Sequence, residues 1–429
     1  MTANIITLGC SKNLVDSERL LNQLRSGGYE VFHDRYGLHT DLVIINTCGF
    51  ILDAKQESID TILSFIEDKK SGNIGRIIVM GCLSERYREE LKIEMPEVDA
   101  FFGVWEMEKI LAAAGCMQDK SLNNQRQITT PSHYAFLKIS EGCNRSCAFC
   151  AIPGIRGPQR SVPMEDLLEE TRNLTGQGVK ELILIAQDLT TYGTDLYGKR
   201  SLADLLRELI RINELHWIRL HYAYPNGFPE EVIELMASEE KICNYIDIPI
   251  QHASDRILKA MGRGHGKSSM VTLLESFRNK IPDVAIRTTV LTGFPGETEK
   301  EYKELLDFIG QFRFDRLGIF PYSHEEGTKA GEEMEDDIPE KVKTQRVESI
   351  MEVQQQISLE LNREKVGKIF RVLIDREENG YYIGRTQYDS PDVDNEVLVS
   401  SDKPLPAGTF CRVRITEAVE FDLYGIILP

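Results

Sequence analysis

Cys143-Asn144-Arg145-Ser146-Cys147-Ala148-Phe149-Cys150 sets three thiols within eight residues, spaced C-x3-C-x2-C. The stretch follows a strand-like run, Ala135-Phe136-Leu137-Lys138-Ile139. A closed structural zinc site takes four ligands, whereas this loop supplies three thiols, no nearby fourth cysteine and no histidine of its own. Three thiolates suit a four-iron, four-sulfur cluster, holding three irons and leaving the fourth open to an outside ligand. Two blander readings stand beside this one: a zinc knuckle completed by the distant His133, and chance clustering.

Outward from the loop, strand and helix signals alternate over residues 134 to 331. Strand candidates are 135–139, 181–186, 217–221, 245–248, 285–290 and 316–320. Helical patterns intervene, as with Tyr302, Leu305, Leu306 and Ile309. Six βα units predict a partial (βα)6 TIM-like barrel with its function on the loops after the strands, and the Cys143 loop is the first of these. The other strand-end loops carry polar groups: Gln187-Asp188, Pro249-Ile250-Gln251-His252, Arg287 near the fifth strand's end, Gly293-Phe294-Pro295-Gly296-Glu297 and Tyr322-Ser323-His324. From these, Gln187, Asp188, Gln251, His252, Arg287, Gly293 and Glu297 are the candidate cofactor contacts. Residues 293–297 read equally as a strand-to-helix turn with Glu297 favouring a helix N-terminus, and His252 as a satisfied core histidine.

Upstream, residues 1–125 repeat one unit three times. Ile5-Ile6-Thr7-Leu8-Gly9 ends in Cys10, Val43-Ile44-Ile45-Asn46-Thr47 in Cys48, and Ile77-Ile78-Val79-Met80-Gly81 in Cys82. Short β-branched runs of this kind are parallel strands buried on both faces. A helical pattern follows each, clearest at Ile59, Ile62, Leu63 and Ile66. Strand, cysteine, helix, repeated, predicts an open parallel sheet, and such sheets bind ligands beyond the carboxyl ends of their strands. Cys10, Cys48 and Cys82 can therefore converge into a second three-thiolate site. The alternative is that each caps its strand as a small buried hydrophobe. Cys116, Cys243 and Cys411 lack such placement and read as structural or incidental.

Residues 123–127 are polar and lead to Pro131, which reads as a linker. Residues 325–337 form an acidic loop, after which Pro339 opens a helix running to about Lys365. From Lys368 the period changes to strands at 369–374, 381–385, 396–399, 411–415 and 423–427, with turn signals at Asn379-Gly380 and Gly408. Five short strands predict a small closed antiparallel β-barrel of oligonucleotide-binding type. The expected domains are 1–125, 130–365 and 366–429, in an α/β chain.

The totals set bounds. At 429 residues the chain exceeds a single core and suits two or three domains. No run of about 18 apolar residues crosses a membrane. The beginning, Met1-Thr2-Ala3-Asn4, lacks the basic and apolar regions of a signal peptide. Nine cysteines, six of them in two sets of three, then imply reduced thiols and metal in a cytoplasmic protein. Net charge of −18 argues against a generic nucleic-acid binder. Residues 366–429 carry seven basic side chains against eleven acidic ones, among them Asp389, Asp392, Asp394 and Glu396. An acidic barrel repels phosphates and suits a basic protein partner; its blander reading is a solvated acidic face with the RNA surface on a few arginines.

The Cys143 loop, with the aromatic Phe149 just before its third cysteine, resembles the radical S-adenosylmethionine enzymes. With all three parts in place, the whole chain resembles the methylthiotransferases, which join a three-cysteine domain, a radical S-adenosylmethionine barrel and a C-terminal TRAM barrel. Leu8-Gly9-Cys10-Ser11-Lys12-Asn13-Leu14-Val15-Asp16-Ser17-Glu18, Asn46-Thr47-Cys48-Gly49-Phe50-Ile51 and Lys138-Ile139-Ser140-Glu141-Gly142-Cys143 carry it. Cys10-Ser11-Lys12-Asn13 stands where the tRNA-modifying relatives read Gly-Cys-Gln-Met-Asn, which points to the branch that modifies a small-subunit ribosomal protein. Gln187-Asp188 stands where the wider radical superfamily carries Gly-Gly-Glu.

The resemblance implies two 4Fe-4S clusters, one on Cys143, Cys147 and Cys150 and one on Cys10, Cys48 and Cys82. S-adenosylmethionine would act as radical source and as methyl donor. Sulfur insertion at an unactivated C–H bond lies beyond acid–base side chains. The first cluster would deliver an electron to S-adenosylmethionine, releasing a deoxyadenosyl radical that takes hydrogen from the β-carbon of an aspartate, and the second would supply the sulfur, methylated by a second S-adenosylmethionine. No protein nucleophile is expected. Implied partners are the ribosomal protein, free or in the assembled subunit, and an electron donor such as flavodoxin; a membrane is not expected. A tRNA adenosine methylthiotransferase and a non-catalytic iron–sulfur electron carrier are the rival readings.

Overall fold

The computed structural model describes residues 1–428, in two compact units. The first comprises Met1–Thr130, Phe136–Arg145 and Cys150–Leu174; the second comprises Pro131–Ala135, Ser146–Phe149 and the chain from Thr175 onward.

The first unit begins β1 (Thr2–Thr7), α1 (Ser11–Ser26), β2 (Glu30–His33), β3 (Thr40–Thr47), α2 (Leu52–Lys70), β4 (Ile74–Gly81), α3 (Cys82–Glu94), β5 (Ala100–Phe101) and α4 (Met107–Ala114). Its five strands form the expected parallel sheet, ordered β2-β1-β3-β4-β5. Successive strand residues point to opposite faces, so Ile5, Ile44 and Ile78 pack against Leu20, Leu21 and Leu24 of α1. Ile6, Ile45 and Val79 pack on the other side with Ile62, Phe65 and Ile66 of α2. The edge strands β2 and β5 were not legible beforehand: one is half-exposed and the other has two residues, so neither carries an apolar run.

The same unit holds β7 (Ser140–Glu141) and β8 (Arg160–Ser161), an antiparallel pair that brackets the Cys143 loop, and α5 (Ile152–Arg156) between them. Between these and the sheet domain, residues 123–127 depart from the linker reading. Arg126 is buried, donates to Glu18 and to the Phe136 carbonyl, and pairs with Glu170 at 2.9 Å. Thr129 also donates to Glu18. A polar run reads as solvated until its charges are seen to be paired in the interior.

β6 (Tyr134–Lys138) and α6 (Met164–Gly176) lead into the second unit. There follow β9 (Glu181–Ile185), α7 (Leu202–Leu209), β10 (Trp217–Leu220), α8 (Glu230–Ser238), β11 (Ile242–Asp247), α9 (Asp255–Ala260), α10 (Lys267–Lys280), β12 (Ala285–Thr292), α11 (Glu299–Phe312) and β13 (Arg316–Pro321). The six predicted strands line up in strict sequence order, β13-β12-β11-β10-β9-β6, as an open sheet. Short α12 (Lys329–Glu333) and long α13 (Glu340–Arg363) follow, the latter with Pro339 at its N-cap rather than inside its first turn.

β14 (Ile369–Glu378), β15 (Tyr381–Arg385), β16 (Glu396–Ser400), β17 (Phe410–Ala418) and β18 (Asp422–Ile427) close into a five-stranded barrel. Four of its ladders are antiparallel, but β16 and β18 run parallel, which corrects the wholly antiparallel expectation. These strands are not sequence neighbours, so no hairpin fixes their relative direction. The barrel's acidic residues are also not all surface. Asp389 is buried against Arg316, and Asp394 accepts from the Tyr245 hydroxyl at 2.7 Å and from the Ser390 amide at 2.9 Å. Glu396 is bound by Arg376 at 2.7 Å. Of the four acids singled out from the sequence, only Asp392 stands exposed.

Candidate functional site

Cys10, Cys48 and Cys82 lie near enough to one another for their charges to interact. In register, Thr7 of β1 pairs with Asn46 of β3, and Thr47 of β3 with Gly81 of β4, so the three strands end level. Cys10 lies between β1 and α1, Cys48 between β3 and α2, and Cys82 opens α3 directly after β4, at the strand ends where order reverses between β1 and β3. A glycine adjoins each cysteine, and each permits a close approach. A Cβ on Gly9 (φ +86°) would lie 2.9 Å from Cys48 Sγ, and one on Gly49 would lie 2.7 Å from the Leu83 backbone. One on Gly81 (φ +100°) would lie 2.5 Å from the Thr47 carbonyl. Side chains there would force the loops apart.

The thiols differ in electrostatics. Burial pushes Cys10 up, but Lys12, Arg156 and the Asn13 and Lys12 amides together bring its thiol below the ordinary value. Burial raises Cys48 to about 11 and raises Cys82, with the neighbouring thiolates adding to the effect. Thiols so placed lose their protons when a metal takes the protons' place. Among the described residues, no three His, Cys, Asp or Glu side chains gather tightly enough for one metal ion. A soft all-thiolate set with a glycine beside each cysteine fits a cluster, which assigns each thiolate its own iron.

Arg156, at the end of α5, is buried beside Cys82. It donates through Nη2 to Cys82 Sγ at 3.4 Å and to Asn13 Oδ1. Its Nη1 pairs with Glu141 at 2.8 Å and Asp16 at 3.3 Å, and Lys138 pairs with the same two carboxylates. Glu141 lies two residues ahead of Cys143, whose amide donates to the Gly157 carbonyl at 3.1 Å.

In the second unit, Arg263 donates to Cys147 Sγ at 3.4 Å and to the Pro249 carbonyl, and stacks 4.1 Å over Tyr224. Tyr224 donates to the Arg263 carbonyl and stands 3.9 Å from Cys147 Sγ. The turn holding Arg263 also grips the loop backbone. Ala148 N–H donates to Met261 O at 2.9 Å, and a Cβ on Gly262 would lie 2.5 Å from Ser146 O. Neither arginine was singled out from the sequence. The signal at Arg263 was its neighbour Gly262, which lets the Ser146 carbonyl come close; Arg156, followed by Gly157 with open space around it, carried no such signal.

The strand-end candidates divide. Gln251, at φ +70°, bonds through its amide to Thr289 O and through its carbonyl to Leu291 N, holding a left-handed non-glycine at the strand end. Gln187 is half-buried at the end of β9. Asp188 caps the short turn Leu189–Thr191 by accepting from the Thr190 amide. His252 accepts from the Ser254 amide at 2.9 Å and is fully buried, which pushes its pKa down to about 3: a neutral core histidine. Glu297 accepts from Thr292 at 3.0 Å, from the Gly293 amide at 2.6 Å and from Arg346 at 3.0 Å, so it ties a strand end. The helix after it is capped by Thr298 and Glu301 instead. Gly293 (φ +76°) makes room for the Lys343 side chain, whose Cγ would lie 2.5 Å from a Cβ. Arg287 is the third residue of β12, not near its end, and pairs with Asp247 and Asp394 at 3.3 Å. His133, the knuckle alternative's fourth ligand, lies 2.7 Å from Asp375.

Residues 137–309 match the Radical SAM superfamily, residues 2–103 the Uncharacterized protein family UPF0004, and residues 366–428 the TRAM domain. A ribosomal protein uS12 methylthiotransferase RimO of Cytophaga hutchinsonii is 53% identical over 426 residues, 99% of this chain and 97% of that one. Its namesake from Christiangramia forsetii is 52% identical, over 98% of this chain and 93% of the relative. The chain belongs to the RimO methylthiotransferases. Membership makes it a radical S-adenosylmethionine transferase, with 4Fe-4S clusters and S-adenosylmethionine as its cofactors. The fold is shared more widely. The radical S-adenosylmethionine methyltransferase TsrM of Kitasatospora setae superposes with a TM-score of 0.57 at 13% identity, covering 89% of this chain and 77% of that one. The radical enzyme OxsB superposes at 0.53 and 15% identity, covering 83% and 56%.

Proposed function

We propose that this chain methylthiolates the β-carbon of an aspartate in ribosomal protein uS12. The observation that carries the reading is identity above one half, over nearly the whole chain, to relatives named for that reaction. The cofactors supply the carbon-centred radical, the sulfur and the methyl group; the chain's residues hold and orient them. Cys143, Cys147 and Cys150 hold the radical-generating cluster, with Arg263 and Tyr224 fixing the Cys147 side. Cys10, Cys48 and Cys82 hold the second cluster, drawn together by the level strand ends. Of the strand-end candidates, Gln251 and Gln187 face the cofactor; His252, Glu297, Gly293, Asp188 and Arg287 serve the fold. The working division is 1–125, 130–365 and 366–429. Exposed acids of the last barrel, Glu377, Asp402 and Glu417, suit a basic ribosomal protein. A flavodoxin-type reductant and a cytoplasmic setting complete the reading; among the described residues no helix is long and apolar enough to cross a membrane.

The test replaces each cysteine set by alanine in the full chain. Each triple variant should keep about half the iron of the parent. Without Cys143, Cys147 and Cys150, deoxyadenosine formation should vanish; without Cys10, Cys48 and Cys82, some cofactor cleavage should persist while sulfur transfer stops. Iron unaffected by the N-terminal replacements would overturn the two-cluster assignment. A methylthio group found by mass spectrometry on tRNA adenosine and not on uS12 would overturn the substrate.

A further inference from the structure

We propose that Arg156 is a positioning residue for the Cys10/Cys48/Cys82 site, stabilising an electron-rich cluster there through a charge-assisted hydrogen bond to Cys82. The proposal rests on the reading that these thiols hold a cluster.

A buried guanidinium needs partners for its donors and its charge. Arg156 divides its contacts by side: Nη2 serves Cys82 Sγ at 3.4 Å and Asn13 Oδ1, while Nη1 serves Glu141 at 2.8 Å and Asp16 at 3.3 Å. The carboxylates thus hold the plane from one end and the sulfur receives the other. Lys138 joins the same carboxylates, so two cations and two anions cancel, and the group remains buried without net charge. Asn13, oriented by the Leu8 and Thr47 carbonyls at 2.8 and 3.1 Å, fixes the fork from the sheet side. Four acceptors around one planar head require the arginine fork; an ammonium cannot meet them together.

A positive donor on a ligand sulfur favours the state with the extra electron, and hydrogen bonds to cluster sulfurs are a main control of cluster potential. Neutralising Arg156 would leave Asp16 and Glu141 facing Lys138 alone, with net negative charge beside the thiolates. The bland reading is a mere tie between α1, α5 and β7. A tie would affect folding and iron occupancy, but would leave the potential of a bound cluster where it was.

The experiment uses the full chain with Cys143, Cys147 and Cys150 replaced by Ala and reconstituted anaerobically with iron and sulfide, so that only the N-terminal site is loaded. Arg156→Gln and Arg156→Lys are added, and the midpoint potential and electron paramagnetic resonance of the reduced cluster are recorded. The midpoint should move negative in both, further for Gln than for Lys, with altered resonance positions. Unchanged midpoint and spectrum in both variants would overturn the proposal. Should the Gln variant fail to fold, the Lys variant decides by the same criterion. If the parent with the Cys143 set removed binds no iron, the cluster assignment itself fails, and the Arg156 proposal falls with it.

Discussion

Glu181→Gln tests what holds the C-terminal barrel to the strands of the second unit. Glu181 is fully buried at the start of β9 between two buried arginines: Arg219 Nε at 2.8 Å and Arg385 Nη1 at 2.7 Å. Arg385 also grips Asp375 at 2.7 and 3.0 Å, and Arg219 reaches the Gln387 carbonyl at 2.8 Å. A glutamine keeps one acceptor oxygen and turns an amide donor toward the other guanidinium. One charge-assisted bond, about 1.5–3 kcal/mol, is lost. Of the two cations, Arg385 keeps Asp375 but Arg219 keeps no counter-charge among its bonded partners. Breaking a buried pair in this way costs about 3–5 kcal/mol. The chain has two tryptophans; Trp105 is 47% exposed, while Trp217 is 2% exposed, sits opposite Glu181 in the β9–β10 ladder and meets Phe410 edge-on at 4.9 Å. In a Trp105→Phe background, Trp217 fluorescence during urea unfolding therefore reports this junction. The Gln variant should unfold at markedly lower urea. A loss below about 1 kcal/mol would mean the buried charges contribute no more than a surface pair does, and would refute the argument.

Two further outcomes follow from single residues. Gly142 has φ +79°, and a Cβ there would lie 2.2 Å from the Pro158 carbonyl; Gly142→Ala adds left-handed strain of about 1–2 kcal/mol before the clash is counted. Iron analysis should find the Cys143 cluster lost and deoxyadenosine formation with it, and a fully loaded, active variant would contradict the packing. His252 is held neutral by burial with its pKa down at about 3, so between that value and about 6.5 the unfolded chain binds a proton that the folded chain does not. Stability is therefore complete above about 6.5 and falls with acid, by about 2 kcal/mol at pH 5. His252→Asn should lose that component, seen as a shallower pH dependence of the urea midpoint; parallel slopes in parent and variant would contradict it.

Where the cysteines fall relative to the strands was legible because it is written locally. Cys143, Cys147 and Cys150 share one loop, and Cys10, Cys48 and Cys82 each follow an apolar run whose end the strand period marks. The cofactor-contact candidates were less legible. A polar residue after a strand can face the rim or fold back to cap it, and the choice depends on partners far along the chain. Glu297 turned to Thr292, Gly293 and Arg346, and Arg287 to Asp247 and Asp394. The acids of the last barrel followed the same logic: Asp389 found Arg316 across 73 residues of sequence.

By itself the sequence determined the α/β order of elements and the run of strands behind each cysteine loop, since periodicity is a short-range property of the chain. Only the tertiary structure decided which charges are interior. Arg126, Arg156, Arg219 and Arg385 look like solvated surface in any window of sequence, and each is buried because carboxylates from distant segments meet it. Burial of a charge is a property of the pair, and the pair exists only once the chain has folded.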